Sequence, residues 1–184
     1  VILRNIIFKN SGCLNFIVLL LFGFFINYSF AFSFDVFGFP DGGLIFDLGW
    51  KFLSGQIPFE DFSPWQGITA GYLEAISFAL FGVNLNASVI HASVMNGLAA
   101  GLSYILLTQL NLSRLAAFVV GVMTAVLYYP PQKLPYSTQD GILFVLVALV
   151  LAVFIDKRNS SLKEYIIAWT LIGLSLALAF LGKQ

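Results

Sequence analysis

Six apolar runs, at 14–32, 67–81, 87–110, 115–129, 141–155 and 165–181, occupy most of this chain. Backbone N–H and C=O groups in such runs cannot all be handed to water, and a helix is the one structure that satisfies them within a single segment. The expected fold is therefore all-α, and the expected class a polytopic membrane protein. Composition agrees: 59% of residues are hydrophobic and 10% charged, against about 25% charged in an ordinary soluble domain. The formal net charge of zero offers no electrostatic footprint for nucleic acid. A single cysteine, Cys13, excludes a disulfide framework and a cysteine-based metal cluster, and reads as a small buried or lipid-facing residue.

A helix crossing hydrocarbon needs about 20 residues, so several runs lean on their flanks to span. The run at 67–81 is the ambiguous one. It holds Glu74, and a carboxylate at the centre of a spanning helix costs about 2.5–3.5 kcal/mol on insertion scales. Cation placement decides its status. If 67–81 spans, Arg4 and Lys9 lie on one side and Arg114, Lys157, Arg158 and Lys163 on the other; if it lies in the interface, all six share one side, leaving Lys51, Lys133 and Lys183 opposite. The positive-inside rule selects the second arrangement. It gives about five transmembrane helices, at 14–32, 87–110, 114–130, 140–155 and 165–182, with a cytoplasmic amino terminus and an outside region at 33–86.

That outside region carries most of the readable chemistry. Asp41, Asp47, Glu60 and Asp61 gather there against Lys51, although an anionic membrane surface repels carboxylates. Residues 42–53 read as a short juxtamembrane helix with Asp47 and Lys51 paired four apart and Trp50 at headgroup level. Gly55 and Pro58 break it. Ser63-Pro64-Trp65-Gln66 has the form of a capping box, predicting a second juxtamembrane helix from Pro64 with Ser63 as cap and Gln66 reaching back. Along it, Gln66, Ala70, Glu74 and Ser77 form one stripe and Trp65, Ile68, Tyr72, Ile76 and Leu80 another. Gly82 ends it. The loop at 130–140 holds three of the six prolines and returns to the membrane at Asp140, on the same side as Asp41.

The order of these parts carries a resemblance. Asp41 after the first span, then Gly49-Trp50, Gly55, Pro58-Phe59 and Asp61-Phe62, a membrane-parallel helix ending Phe78–Gly82, a span after Asn86-Ala87-Ser88, Asp140, and Leu178 to Lys183 together resemble the GT-C class of integral-membrane glycosyltransferases. The pattern is most similar to protein O-mannosyltransferases and lipid A aminoarabinose transferases. It covers most of the chain; each piece is short and degenerate, and the ordered set is what is specific. The chain begins at Val1 and stops at Gln184 just after an apolar run, which reads as the N-terminal fragment of such an enzyme.

The resemblance implies a polyprenyl-phosphate-linked sugar donor, an acceptor hydroxyl on a lipid, polysaccharide or protein, and Asp41 as general base in an inverting displacement at the outer face of a bacterial plasma membrane. Lys183 is the implied cation for the lipid phosphate, with Asp140, Asp61, Trp65 and Gln66 as substrate-binding residues. The family often places two adjacent acids at the catalytic position, whereas here Gly42-Gly43 follows Asp41; a divalent metal is thus left open and none is required. Relatives commonly carry Arg where this chain has His91, which reads as a packed or interfacial residue. Plainer readings stand beside these: Asp41 as a helix cap, Asp61 as a turn residue, Trp50 and Trp65 as interfacial anchors, and Lys183 snorkelling to headgroups. A transporter or flippase component, with Asp41, Glu74 and Asp140 lining a path, and a non-catalytic scaffold are the alternatives from other classes.

Overall fold

The structure is a computed structural model that describes residues 11–33, 40–157 and 161–182. Within them the chain is all-helical: α1 (Ser11–Ser33), α2 (Pro40–Leu53), α3 (Ile68–Phe81), α4 (Leu85–Gln109), α5 (Arg114–Leu127), α6 (Ser137–Asp156) and α7 (Leu162–Phe180). Four of these, α1, α4, α6 and α7, are long and apolar enough to cross a membrane. The fifth expected span, α5, has 14 residues and rises only about 21 Å. It stops at Leu127 because Tyr128 to Pro131 turn the chain aside, where Tyr129 N–H donates to Asn96 Oδ1 at 3.2 Å.

Large apolar side chains cover the outside of the long helices. Leu14 and Phe25 on α1, Ile142 on α6, and Trp169, Leu174 and Phe180 on α7 are all exposed. An apolar surface of this extent is an aggregation liability in water and is compatible with a lipid environment.

Small residues let α1 and α4 cross closely. A Cβ on Gly97 would stand 2.4 Å from the Leu20 carbonyl oxygen, and one on Gly23 would stand 2.8 Å from Gly97 Cα, so neither position has room for a side chain. Asn96 sits at this crossing and joins three helices. Its Nδ2 donates to Gly23 O and Ala125 O, each at 2.8 Å. Asn15 donates to Tyr104 near one end of the α1–α4 pair and Tyr28 donates to Asn86 near the other, each at 3.0 Å, so the two helices run antiparallel. Leu19, Ala100, Tyr104, Ala117 and Ala125 fill the space between α1, α4 and α5, and Ala148, Leu151 and Ile172 fill that between α6 and α7.

Helices α2 and α3 form a separate layer across one end of this bundle. Phe52 stacks on Tyr72 with centroids 4.1 Å apart, and Phe46 meets Phe78 edge-on at 4.8 Å. Asp47 and Lys51 form the expected i,i+4 pair at 2.6 Å, and Gly82 closes α3 with φ 83°. The start of α3 differs from expectation. The helix begins at Ile68, not Pro64; Gly67 is its cap and makes no side-chain cap hydrogen bond, so Ser63 and Gln66 form no capping box. The reason is tertiary: the carbonyl of Leu181, at the end of α7, accepts from Ile68 N–H at 2.9 Å, and Leu178 O accepts from Thr69 Oγ1 at 2.8 Å. Exposed carbonyls of one helix end satisfy exposed donors of the other.

Replacing Gly97 with Val should force α1 off α4 and cost about 1–3 kcal/mol. The check is the midpoint of heat- or SDS-induced loss of helical circular dichroism in detergent micelles, expected to fall relative to the unmodified protein.

Candidate functional site: a buried carboxylate–imidazole row beneath an acidic layer

Glu74 projects from α3 into the bundle because its stripe, Ala70, Glu74 and Ser77, is the buried face of that helix, while Tyr72, Ile76 and Leu80 are exposed. Gly49 of α2 makes the room: a Cβ there would lie 2.5 Å from Glu74 Cγ. The Glu74 carboxylate is fully buried. Its Oε1 accepts from the Ser88 hydroxyl and its Oε2 lies 2.7 Å from His91 Nδ1. Ser88 and His91 are three apart on α4 and so share a face. The other imidazole nitrogen, Nε2, faces Asp140 Oδ2 at 3.6 Å. Asp140, in the first turn of α6, is also fully buried, and its Oδ1 accepts from the Tyr129 hydroxyl at 2.5 Å. Tyr129 lies just beyond the end of α5, where its hydroxyl is aimed at Asp140.

A row Ser88–Glu74–His91–Asp140–Tyr129 thus ties α3, α4, α6 and the 128–136 connection together. Its members are joined side by side; among the described residues no group of three or more His, Cys, Asp or Glu is arranged to hold a metal ion.

Above the row, the α2–α3 layer bears an open groove of about 330 Å³ bordered by Leu48, Lys51, Phe62, Ser63, Trp65 and Gln66, with Asp47 beside Lys51. Trp65 is 83% exposed on its rim. Gln66 connects the groove to the buried row, since its Oε1 accepts from Ser137 Oγ at 2.9 Å, one turn of α6 before Asp140.

The expected site residues are therefore dispersed. Trp65 and Gln66 share the groove. Asp140 lies inside the protein, in the row. Asp61 is exposed and accepts from Ile57 N–H at 2.7 Å, closing the turn between α2 and α3, as its plainer reading has it. Residue 41 lies in the first turn of α2, with its side chain outside the described residues, and Lys183 lies outside them altogether. What the sequence reading passed over is the pairing of Glu74 with His91. The available signal was that each is an ionisable residue within an apolar run, where such groups seek partners.

Comparison with protein-family models, curated proteins and solved structures finds no match to this chain.

His91→Leu leaves two buried carboxylates facing each other and should cost about 3–5 kcal/mol, whereas Glu74→Leu/His91→Leu/Asp140→Leu should recover most of that loss. Unfolding midpoints of both variants against the unmodified protein make the comparison.

Proposed function

We propose that this chain belongs to an integral-membrane glycosyltransferase that moves a sugar from a polyprenyl-phosphate-linked donor to an acceptor hydroxyl. One observation carries the reading: a layer rich in acids, headed by residue 41, is seated on one end of an apolar helix bundle and opens a groove lined by aromatic and polar groups. A donor of this kind keeps its isoprenoid tail in hydrocarbon and presents its phosphate and sugar at the interface, so a groove beside exposed apolar helix surface suits its divided chemistry. Residue 41 opens the helix from which Leu48 and Lys51 border that groove.

In the proposed reaction Asp41 takes the proton of the acceptor hydroxyl as its oxygen attacks the anomeric carbon. The bond from that carbon to the phosphate oxygen breaks, the lipid phosphate departs, and the configuration inverts. Lys183 is the proposed partner of the departing phosphate, with Trp65 and Gln66 against the substrate. The resemblance in the order of motifs, from Asp41 through Gly49-Trp50 and Asp61-Phe62 to Asp140, supports the same assignment.

The proposed placement is a bacterial plasma membrane with the layer outward. The starts of α5 and α7 and the end of α6 lie at the bundle end opposite the layer, which groups Arg114, Lys157 and Lys163 on one side. The positive-inside rule makes that side cytoplasmic. With α5 counted as a short span, the crossings number five.

A transporter component is the second reading, and the buried Glu74–His91–Asp140 row favours it, because ionisable residues within membrane helices mark ion pathways. The row sits near the layer end of α4 and α6 rather than midway along them, which weighs toward the transferase.

Membranes expressing the complete gene should transfer labelled sugar from a pool of polyprenyl-phosphate sugars, and Asp41→Asn at matched protein level should lower transfer by about 10²- to 10⁴-fold. Equal activity in the variant, or no transfer from any donor, rejects the assignment. In a Cys13→Ser background, Phe59→Cys and Lys157→Cys should react with an impermeant thiol reagent from opposite sides of sealed vesicles; labelling from one side overturns the topology.

A further inference from the structure

The buried row has a place for one more hydrogen than its formed hydrogen bonds account for. Glu74 receives the Ser88 hydroxyl at Oε1 and His91 Nδ1 at 2.7 Å at Oε2. A carboxylate in this position only accepts, so Nδ1 carries a hydrogen. Asp140 Oδ1 receives the Tyr129 hydroxyl. Two polar atoms remain, His91 Nε2 and Asp140 Oδ2. Both are buried without a hydrogen-bond partner, and they face each other at 3.6 Å.

We infer that the space between His91 Nε2 and Asp140 Oδ2 is a binding site for a single proton, held between imidazole and carboxyl. With no hydrogen there, two lone pairs oppose each other in the buried interior, and both atoms are left unsatisfied. One hydrogen resolves both, whether it rests on Nε2 as an imidazolium opposite a carboxylate or on Oδ2 as a carboxylic acid opposite a neutral ring. Either placement leaves the Glu74, His91 and Asp140 set with one net negative charge. A water bonded to both atoms at its usual angle would hold them roughly 4.5 Å apart, from ordinary hydrogen-bond lengths, so the observed separation favours a proton over a water.

Among the described residues, the titratable groups around the site are Glu74 from α3 and Tyr128 and Tyr129 from the α5–α6 connection, with Gly49 of α2 behind Glu74. The proton thereby completes a continuous link from the α2–α3 layer through α4 to α6. This inference stands apart from the proposed transfer reaction and holds or fails without it.

The chain's single histidine makes the test direct. Protein labelled with ¹⁵N-histidine and ¹³C-aspartate is placed in lipid nanodiscs at neutral pH, and solid-state NMR records both ring nitrogens and, through dipolar transfer from Nε2, the adjacent aspartate carboxyl. The expected result is a hydrogen on one side of the gap: a protonated Nε2 beside an ionised carboxyl, or a bare Nε2 beside a protonated one. A bare Nε2 beside an ionised carboxyl overturns the inference. Asp140→Asn supplies a second arm, because its amide can donate to Nε2 and should convert that nitrogen to the bare form; an Nε2 still protonated in this variant assigns the proton to the Glu74–His91 pair and also overturns it. If Asp140→Asn does not fold, the unmodified protein alone decides.

Discussion

A carboxylate can be kept inside an apolar protein only if its charge and its lone pairs are answered on the spot, and Glu74 imposes that requirement on everything around it. The answer comes from Ser88 and His91, one turn apart on α4. His91 in turn meets Asp140 on α6, and Asp140 needs the Tyr129 hydroxyl, which the turn after α5 supplies. Four separate parts of the chain are thus committed to one small volume. Gly49 is bound by the same demand, since any side chain there would occupy the space of Glu74.

The remaining polar groups of the bundle follow similar logic at lower stakes. Asn96 offers two donors and one acceptor, and α1, α5 and the Tyr129 backbone take all three. This is affordable in an interior only when every partner is present, and it explains why α1 and α4 come close enough at Gly23 and Gly97 to exclude side chains. The end-to-end contact of α7 with α3 is another instance: donors and carbonyls that helices leave unpaired at their termini meet each other. Together these contacts place the acidic layer at the bundle end where α4 and α6 begin and α1, α5 and α7 finish, so the groove bearing Lys51, Trp65 and Gln66 opens beside apolar helix surface.

Much of this architecture was legible in local patterns. The apolar runs produced the helices because their backbones have no cheaper way to satisfy themselves. The polar and apolar stripes of 68–81 are the buried and exposed faces of α3, and Gly82 ends it because the closing residue needs a positive φ. Asp47 and Lys51 pair because four residues make one helical turn. The capping box at Ser63 failed for an equally physical reason: a local cap competes with any better partner, and the end of α7, more than a hundred residues later, supplied one. Tyr128 to Pro131 likewise ended α5 earlier than its hydropathy indicated.

The sequence by itself determined that this chain is helical and apolar, and that its acids would collect in one region between helices, since propensity, periodicity and charge are properties of neighbours along the chain. Only the tertiary structure decided which way the polar stripe of α3 faces and that Glu74 and Asp140 converge on a lone histidine. Those outcomes depend on which helix ends meet and how closely backbones can approach, and such distances join residues whose separation in sequence carries no information about them.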